Sequence, residues 1–157
     1  MSDFLRLYLP RVGEMVTVAA IVIVTASVAR ADCIDDAGAY HGVNSALLHA
    51  IAQHESGMRA GAVNRNANGT EDLGLMQINS SWLSTLTKYG VTRQSLFDAC
   101  VNAFVGAWIL KSNIARLGPT WAAVGAYNAN SPAKQLRYAR EIYAQLLRQG
   151  VQVNDSR

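Results

Sequence analysis

Charge is scarce in this chain. Only 16% of its 157 residues are Asp, Glu, Lys or Arg, with 14 basic against 11 acidic. That is too few for a disordered acidic or basic tail to be the main content. The basic residues also form no concentrated patch, which argues against nucleic acid as a partner. Two cysteines are too few for a zinc site, and they do not form the CxxC of a redox pair. Three histidines, His41, His49 and His54, make no metal cluster. His49 and His54 are five residues apart, about 140° around a helix, and so cannot share one face. The glycines at 57, 61, 69 and 74 fit neither a phosphate loop nor a serine nucleophile elbow. No cofactor is implied, and no linker or internal repeat follows residue 32.

What the chain does have is an uneven distribution of apolar residues. Residues 16–28 are all apolar or small and follow Arg6 and Arg11; Ala29-Arg30-Ala31 then supplies the small residues that a signal peptidase requires. The 13-residue run falls short of the ~20 needed to span a bilayer. Residues 1–31 therefore read as a cleaved signal peptide, removing three basic and two acidic residues. Asp32 before Cys33 argues against lipidation. The expected organisation is a domain over 32–150 and a frayed tail over 151–157, exported to the periplasm with no stable membrane span after cleavage. In that oxidising compartment an even cysteine count predicts a disulfide between Cys33 and Cys100. Closing a loop of that size contributes roughly 4 kcal/mol in the chain-entropy model.

Beyond the leader the periodicity is helical, and the expected fold is mainly α, one compact domain with a small β-hairpin. A stripe over 43–55, with Asn44 or Ser45 as cap and Gly57 as terminator, predicts a first helix. Asn68-Gly69 predicts a tight hairpin turn. Leu75, Ile78, Trp82 and Leu86 predict a short helix or turn. Apolar residues repeating at three and four predict one long helix over 95–117, ended by Gly118-Pro119. A short alanine-rich helix follows over 120–127. Ser131-Pro132 opens a last helix with Tyr138, Ile142 and Leu146 on one face. Its Lys134, Arg137, Arg140 and Arg148 form a basic side, read as a solvated face, with attraction to an anionic surface as the lesser alternative.

One carboxylate stands out. Glu55 sits at the end of the apolar segment Ala50-Ile51-Ala52-Gln53-His54-Glu55, facing the negative end of the helix dipole. Partial burial acts in the same direction, so its pKa is expected above the usual ~4.3. A carboxyl that keeps its proton near neutrality suits the protonation of a glycosidic oxygen. Downstream, Asp72-Leu73-Gly74-Leu75-Met76-Gln77-Ile78-Asn79 sets amides suited to sugar hydroxyl and acetamido groups within an apolar run.

Three motifs in order, Glu55-Ser56-Gly57, then Gly74-Leu75-Met76-Gln77-Ile78-Asn79, then Ala126-Tyr127-Asn128, resemble the lytic transglycosylases of the lysozyme-like superfamily over about residues 33–147. The pattern looks closest to the small transglycosylases of type III and type IV secretion, pilus and conjugation machineries. The resemblance implies a peptidoglycan substrate, cleaved between N-acetylmuramic acid and N-acetylglucosamine with formation of 1,6-anhydromuramic ends. It implies Glu55 as the acid and then the base. Ser56, Met76, Gln77, Asn79, Tyr127 and Asn128 are implied as substrate-binding or site-orienting residues, and Tyr138 as an aromatic packed near the groove. Asp72 has two readings, a hairpin-holding residue bonded to the backbone, which we favour, or the second carboxylate of a hydrolytic lysozyme. Glu71 beside it reads as solvated. A wall-binding scaffold without catalysis is the remaining alternative.

Overall fold

The computed structural model describes residues 33–152. The leader over 1–31 and the end of the tail lie outside those residues. Helix α1 covers 33–41 and α2 is Ser45–Ser56. Of the two expected caps for α2 it is Asn44 that serves, its side chain accepting the Leu47 N–H at 3.2 Å. At the other end Gly57 is left-handed (φ 61°), and the Met58 N–H reaches back to the Ala52 carbonyl at 3.3 Å. This closure leaves Glu55 and Ser56 as the last two residues of the helix.

A three-stranded antiparallel sheet follows, β1 (Val63–Arg65), β2 (Glu71–Leu73) and β3 (Ile78–Asn79), in the order β1-β2-β3. It is one strand larger than the expected hairpin. The β1–β2 turn also differs. The Asn66 N–H bonds the Thr70 carbonyl at 2.8 Å and the Gly69 N–H bonds the Asn66 carbonyl at 3.0 Å, which makes a three-residue loop with Gly69 at φ 81°. Asn68-Gly69 thus forms the end of a longer turn, where glycine tolerates the left-handed residue, instead of a two-residue one.

The sheet has two chemically distinct faces because side chains alternate along each strand. Val63 pairs with Leu73 and Leu73 with Ile78; Leu73 and Ile78 are fully enclosed in the core. Asn64 pairs with Asp72 and Asp72 with Asn79, which makes the other face polar.

A 3₁₀ turn at Ser80–Trp82, the single helical turn α3 (Leu83–Leu86) and a second 3₁₀ turn at Thr87–Tyr89 connect the sheet to the helical half. The long helix expected over 95–117 is broken. Ser95–Phe97 is a separate 3₁₀ turn, and α4 runs Ala99–Leu117 with Asp98 as its cap, accepting from the Cys100 and Val101 N–H groups at 2.9 Å each. Capping chemistry overrode a continuous apolar period. Helix α4 contributes Ala103, Val105, Ala107, Ile109 and Leu110 to the core. Thr120 caps α5 (Trp121–Gly125), and α6 (Pro132–Arg148) starts on its proline. Tyr138, Ile142 and Leu146 are buried from α6, as their spacing predicts. Trp82, Trp108 and Trp121 pack against the core. Cys33 and Cys100 are bonded, joining α1 to the first turn of α4 across 67 residues. Among the described residues no helix is long and apolar enough to cross a membrane.

Candidate active site

Glu55 is half-buried, and burial is the chief reason its pKa rises from 4.5 to about 7. Its neighbours then adjust that value. Tyr138 donates its hydroxyl to Glu55 Oε1 at 2.5 Å and draws the pKa down, while the charges of Asp72 and Glu141 push it up. Tyr138 itself is buried, and burial followed by the Glu55 charge lifts its phenol well above the ordinary range, so it remains a donor. Glu141, one turn further along α6, lies 3.5 Å from His54 Nε2 and 3.1 Å from Arg137 Nε. The His54 ring meets Tyr138 edge-on at 5.4 Å. Helices α2 and α6 are thus fastened twice beside the carboxyl, with His54 exposed on α2 yet in contact with both Tyr138 and Glu141.

The other expected site residues differ in burial and in what they hold. Ser56 is buried; its Oγ donates to the Leu75 carbonyl at 2.7 Å and accepts the Arg59 N–H at 2.9 Å, tying α2 to the Gly-Leu-Met-Gln run. Its hydroxyl is turned into the protein as a support for that run. The Met76 side chain is wholly enclosed, so Met76 is a core residue rather than a groove-lining one. Its carbonyl accepts the Tyr127 hydroxyl at 2.9 Å, and the Tyr127 ring lies alongside Tyr138 with centroids 6.5 Å apart. Gly106 of α4 permits this approach, since a Cβ there would strike the Met76 sulfur. Gln77 holds a left-handed φ of 50° and donates its amide to the Gly74 carbonyl at 2.8 Å. Asn128 is exposed just beyond α5, its N–H on the Gly125 carbonyl at 3.3 Å.

Asp72 is held, though by side chains instead of the backbone expected from sequence. Its Oδ1 accepts from Asn79 Nδ2 at 2.7 Å, and its Oδ2 accepts from Asn66 Nδ2 at 2.9 Å and Asn64 Nδ2 at 3.4 Å. Asn79 commits both of its amide N–H bonds. Its second N–H goes to Thr70 Oγ1 at 3.0 Å, and its oxygen accepts the Ser81 N–H at 3.0 Å. Glu71 is not simply solvated; Arg93 binds it at 2.8 Å and lowers its pKa, with Arg65 at 3.5 Å.

Sequence reasoning missed Asn102. Enclosed in the first turn of α4, it accepts the Met76 N–H at 2.7 Å and donates to the Leu73 and Leu96 carbonyls at 2.9 and 2.7 Å. Gly74, at φ 79°, has to be glycine because a Cβ would collide with this amide. An asparagine within the apolar first half of α4 was the available signal. Asn64 and Asn66 were missed as well, although their period of two marks them as sharing one sheet face. Among the described residues no group of His, Cys, Asp and Glu side chains could hold a metal ion.

A family model described as the transglycosylase SLT domain matches residues 32–145. The chain belongs to that family. It is a lytic transglycosylase of the SLT type, and its fold is the one the sequence resemblance implies. It is 45% identical over 118 residues to invasion protein IagB of Salmonella typhimurium, covering 72% of this chain and 74% of that one. It is 43% identical over 124 residues to protein IpgF of Shigella flexneri, covering 76% and 82%. With the X polypeptide of Escherichia coli it shares 37% over 119 residues, covering 71% and 70%. Its fold is similar to that of an inactive mutant of lytic transglycosylase Slt from Pseudomonas aeruginosa, with a TM-score of 0.62 and 20% identity, covering 76% of this chain and 23% of that one.

Proposed function

We propose that this lytic transglycosylase cleaves the β-1,4 bond between N-acetylmuramic acid and N-acetylglucosamine in peptidoglycan and leaves 1,6-anhydromuramic ends. The observation that carries the reading is Glu55, a half-buried carboxyl with a pKa of about 7 and Tyr138 on one oxygen. Near neutrality a large share of the protein holds the acid form. Its proton passes to the glycosidic oxygen as the bond from muramyl C1 to that oxygen breaks. The resulting carboxylate then takes the proton of the muramyl C6 hydroxyl while O6 closes on C1. No water enters, and Glu55 ends as it began, protonated. Asp72 adds negative charge beside the developing oxocarbenium ion. Both its oxygens are committed to amides, which favours this one-carboxylate route over a hydrolytic lysozyme mechanism with a second carboxylate.

The setting is the periplasm, reached through the signal peptide over 1–31. There a local opening in the wall serves an envelope-spanning secretion, pilus or conjugation complex. Relatedness to a protein named for invasion supports that setting. Digestion of purified sacculi tests the catalytic assignment. Wild type should release soluble glycan and Glu55→Gln should release none above background; equal release by both would remove Glu55 from the chemistry. Release by neither would favour the non-catalytic scaffold.

A further inference from the structure

The outer side of α6 carries side chains that neither the core nor the catalytic account uses. Leu136 and Leu147 are each 53% exposed. Their spacing puts them within about 20° of each other around the helix and roughly 16 Å apart along it. Tyr143 lies on the same edge, half-buried, and its ring meets that of the half-buried Trp121 edge-on at 5.4 Å. On the opposite edge of this face stand Lys134, Arg137 and Arg148, all exposed, with Arg140 between the two edges. Ala133 and Ala144 leave a shallow groove beside Arg140. Glu141 is the one acid of the helix, and it is paired with Arg137 and His54. Lys134 and Arg140 make no ion pair with any described residue. The face is therefore apolar along one edge and cationic along the other.

This layout suits a lipid surface better than a folded partner. A stable protein interface buries roughly 800 Å² per side around a contiguous apolar centre that is depleted in lysine. Two leucines three turns apart, with Arg140 and alanines between them, provide no such centre. A membrane surface requires no matching shape. Each leucine enters the headgroup region separately, and tryptophan and tyrosine favour that depth. Each cation adds its own attraction to anionic phospholipid while its aliphatic stem stays with the apolar groups. We infer that the outer face of α6, centred on Arg140 and edged by Leu136 and Leu147, docks this protein on the surface of an anionic phospholipid membrane. Tyr138 is about 160° around the helix from Arg140, so the bilayer covers the side of α6 turned away from Glu55.

Docking is independent of the glycan chemistry, and its test does not read activity. The purified protein is sedimented with lipid vesicles, every variant carrying the same N-terminus as wild type. Vesicles of phosphatidylcholine with about one third phosphatidylglycerol should bind it at least ~10-fold more tightly than phosphatidylcholine alone. Leu136→Gln combined with Leu147→Gln should weaken binding to the anionic vesicles about 5- to 10-fold, and Lys134→Gln combined with Arg140→Gln about 10-fold. Both pairs should unfold within about 2 °C of wild type, since exposed helix positions tolerate glutamine. Lys88→Gln combined with Tyr89→Gln removes an exposed cation and an aromatic that is 77% exposed from a different element, and should leave binding unchanged. Equal binding to both kinds of vesicle would overturn the inference. So would equal losses in the Lys88 and Tyr89 pair, or a loss confined to the cation pair, since either reduces the effect to general charge attraction. Full binding by both α6 pairs would mean that another surface meets the lipid, and would overturn it as well.

Discussion

The helical side and the sheet side of the site treat the same chemical group in opposite ways. On the helical side Glu55 has one strong donor, Tyr138, and is otherwise surrounded by protein and by the charges of Asp72 and Glu141. On the sheet side Asp72 accepts from three amides and faces a polar surface. Burial with little hydrogen bonding keeps a proton on Glu55, whereas the amides around Asp72 give a carboxylate its full set of partners. A pair of carboxyls with contrasting surroundings divides the labour of acid and electrostatic support. The contrast originates in secondary structure. A helix end supplies few free donors to its last side chains, but a sheet face brings three neighbouring side chains into register with one another.

The largest expected effect breaks the symmetry between the two. Glu55→Gln should lower kcat on glycan strands by at least about 1,000-fold, because no other group is placed to carry the proton, while Asp72→Asn should lower it by only about 10-fold, the loss of one charge. If Asp72→Asn falls as far as Glu55→Gln, Asp72 takes a direct part in the chemistry and the comparison fails.

Stability offers a second test with a sign. The folded protein binds the Glu55 proton more tightly than the unfolded chain does, so stability is lost as pH rises from about 4.5 to about 7. Glu55→Gln, which cannot ionise, should therefore be more stable than wild type at about pH 8, by on the order of 1–3 kcal/mol given partial solvent access, and nearly equal to it at about pH 4. Denaturant melts at the two pH values check this; a destabilised variant at pH 8 would count against the burial argument.

Two substitutions on α6 should move the alkaline limb of the kcat/KM profile in opposite directions. Tyr138→Phe removes the donor that lowers the Glu55 pKa, so the limb should shift to higher pH, with reduced activity from the lost positioning. Glu141→Gln removes a charge that raises it, and the limb should shift to lower pH by a few tenths of a unit. Shifts in the same direction for both would mean that the carboxyl responds to something other than these two neighbours.

Much of this architecture was readable in the sequence, for physical reasons. Helix α2 declared itself by its apolar stripe, its Asn44 cap and Gly57; α6 did so by proline at its start and a buried face of Tyr138, Ile142 and Leu146. Glu55 was legible because position on a helix end is a local property. What was not legible depended on partners distant in sequence. The break at Asp98 hid inside a continuous apolar period. Ser56 and Met76 sit in a motif that resembles a binding run, yet one is a buried support and the other belongs to the core. The grip of Asn102 on three backbone groups spans up to 29 residues. The orientation of Asn64 and Asn66 needs the strand register as well as their spacing.

The most direct test is mass spectrometry of the glycan ends released from sacculi in heavy-oxygen water. Transfer of the C6 oxygen onto C1 predicts 1,6-anhydromuramic ends, one water lighter than the hydrolysis product and free of label. Reducing ends that carry the heavy oxygen would show that water, rather than the sugar's own hydroxyl, closes the reaction, and would contradict the one-carboxylate account.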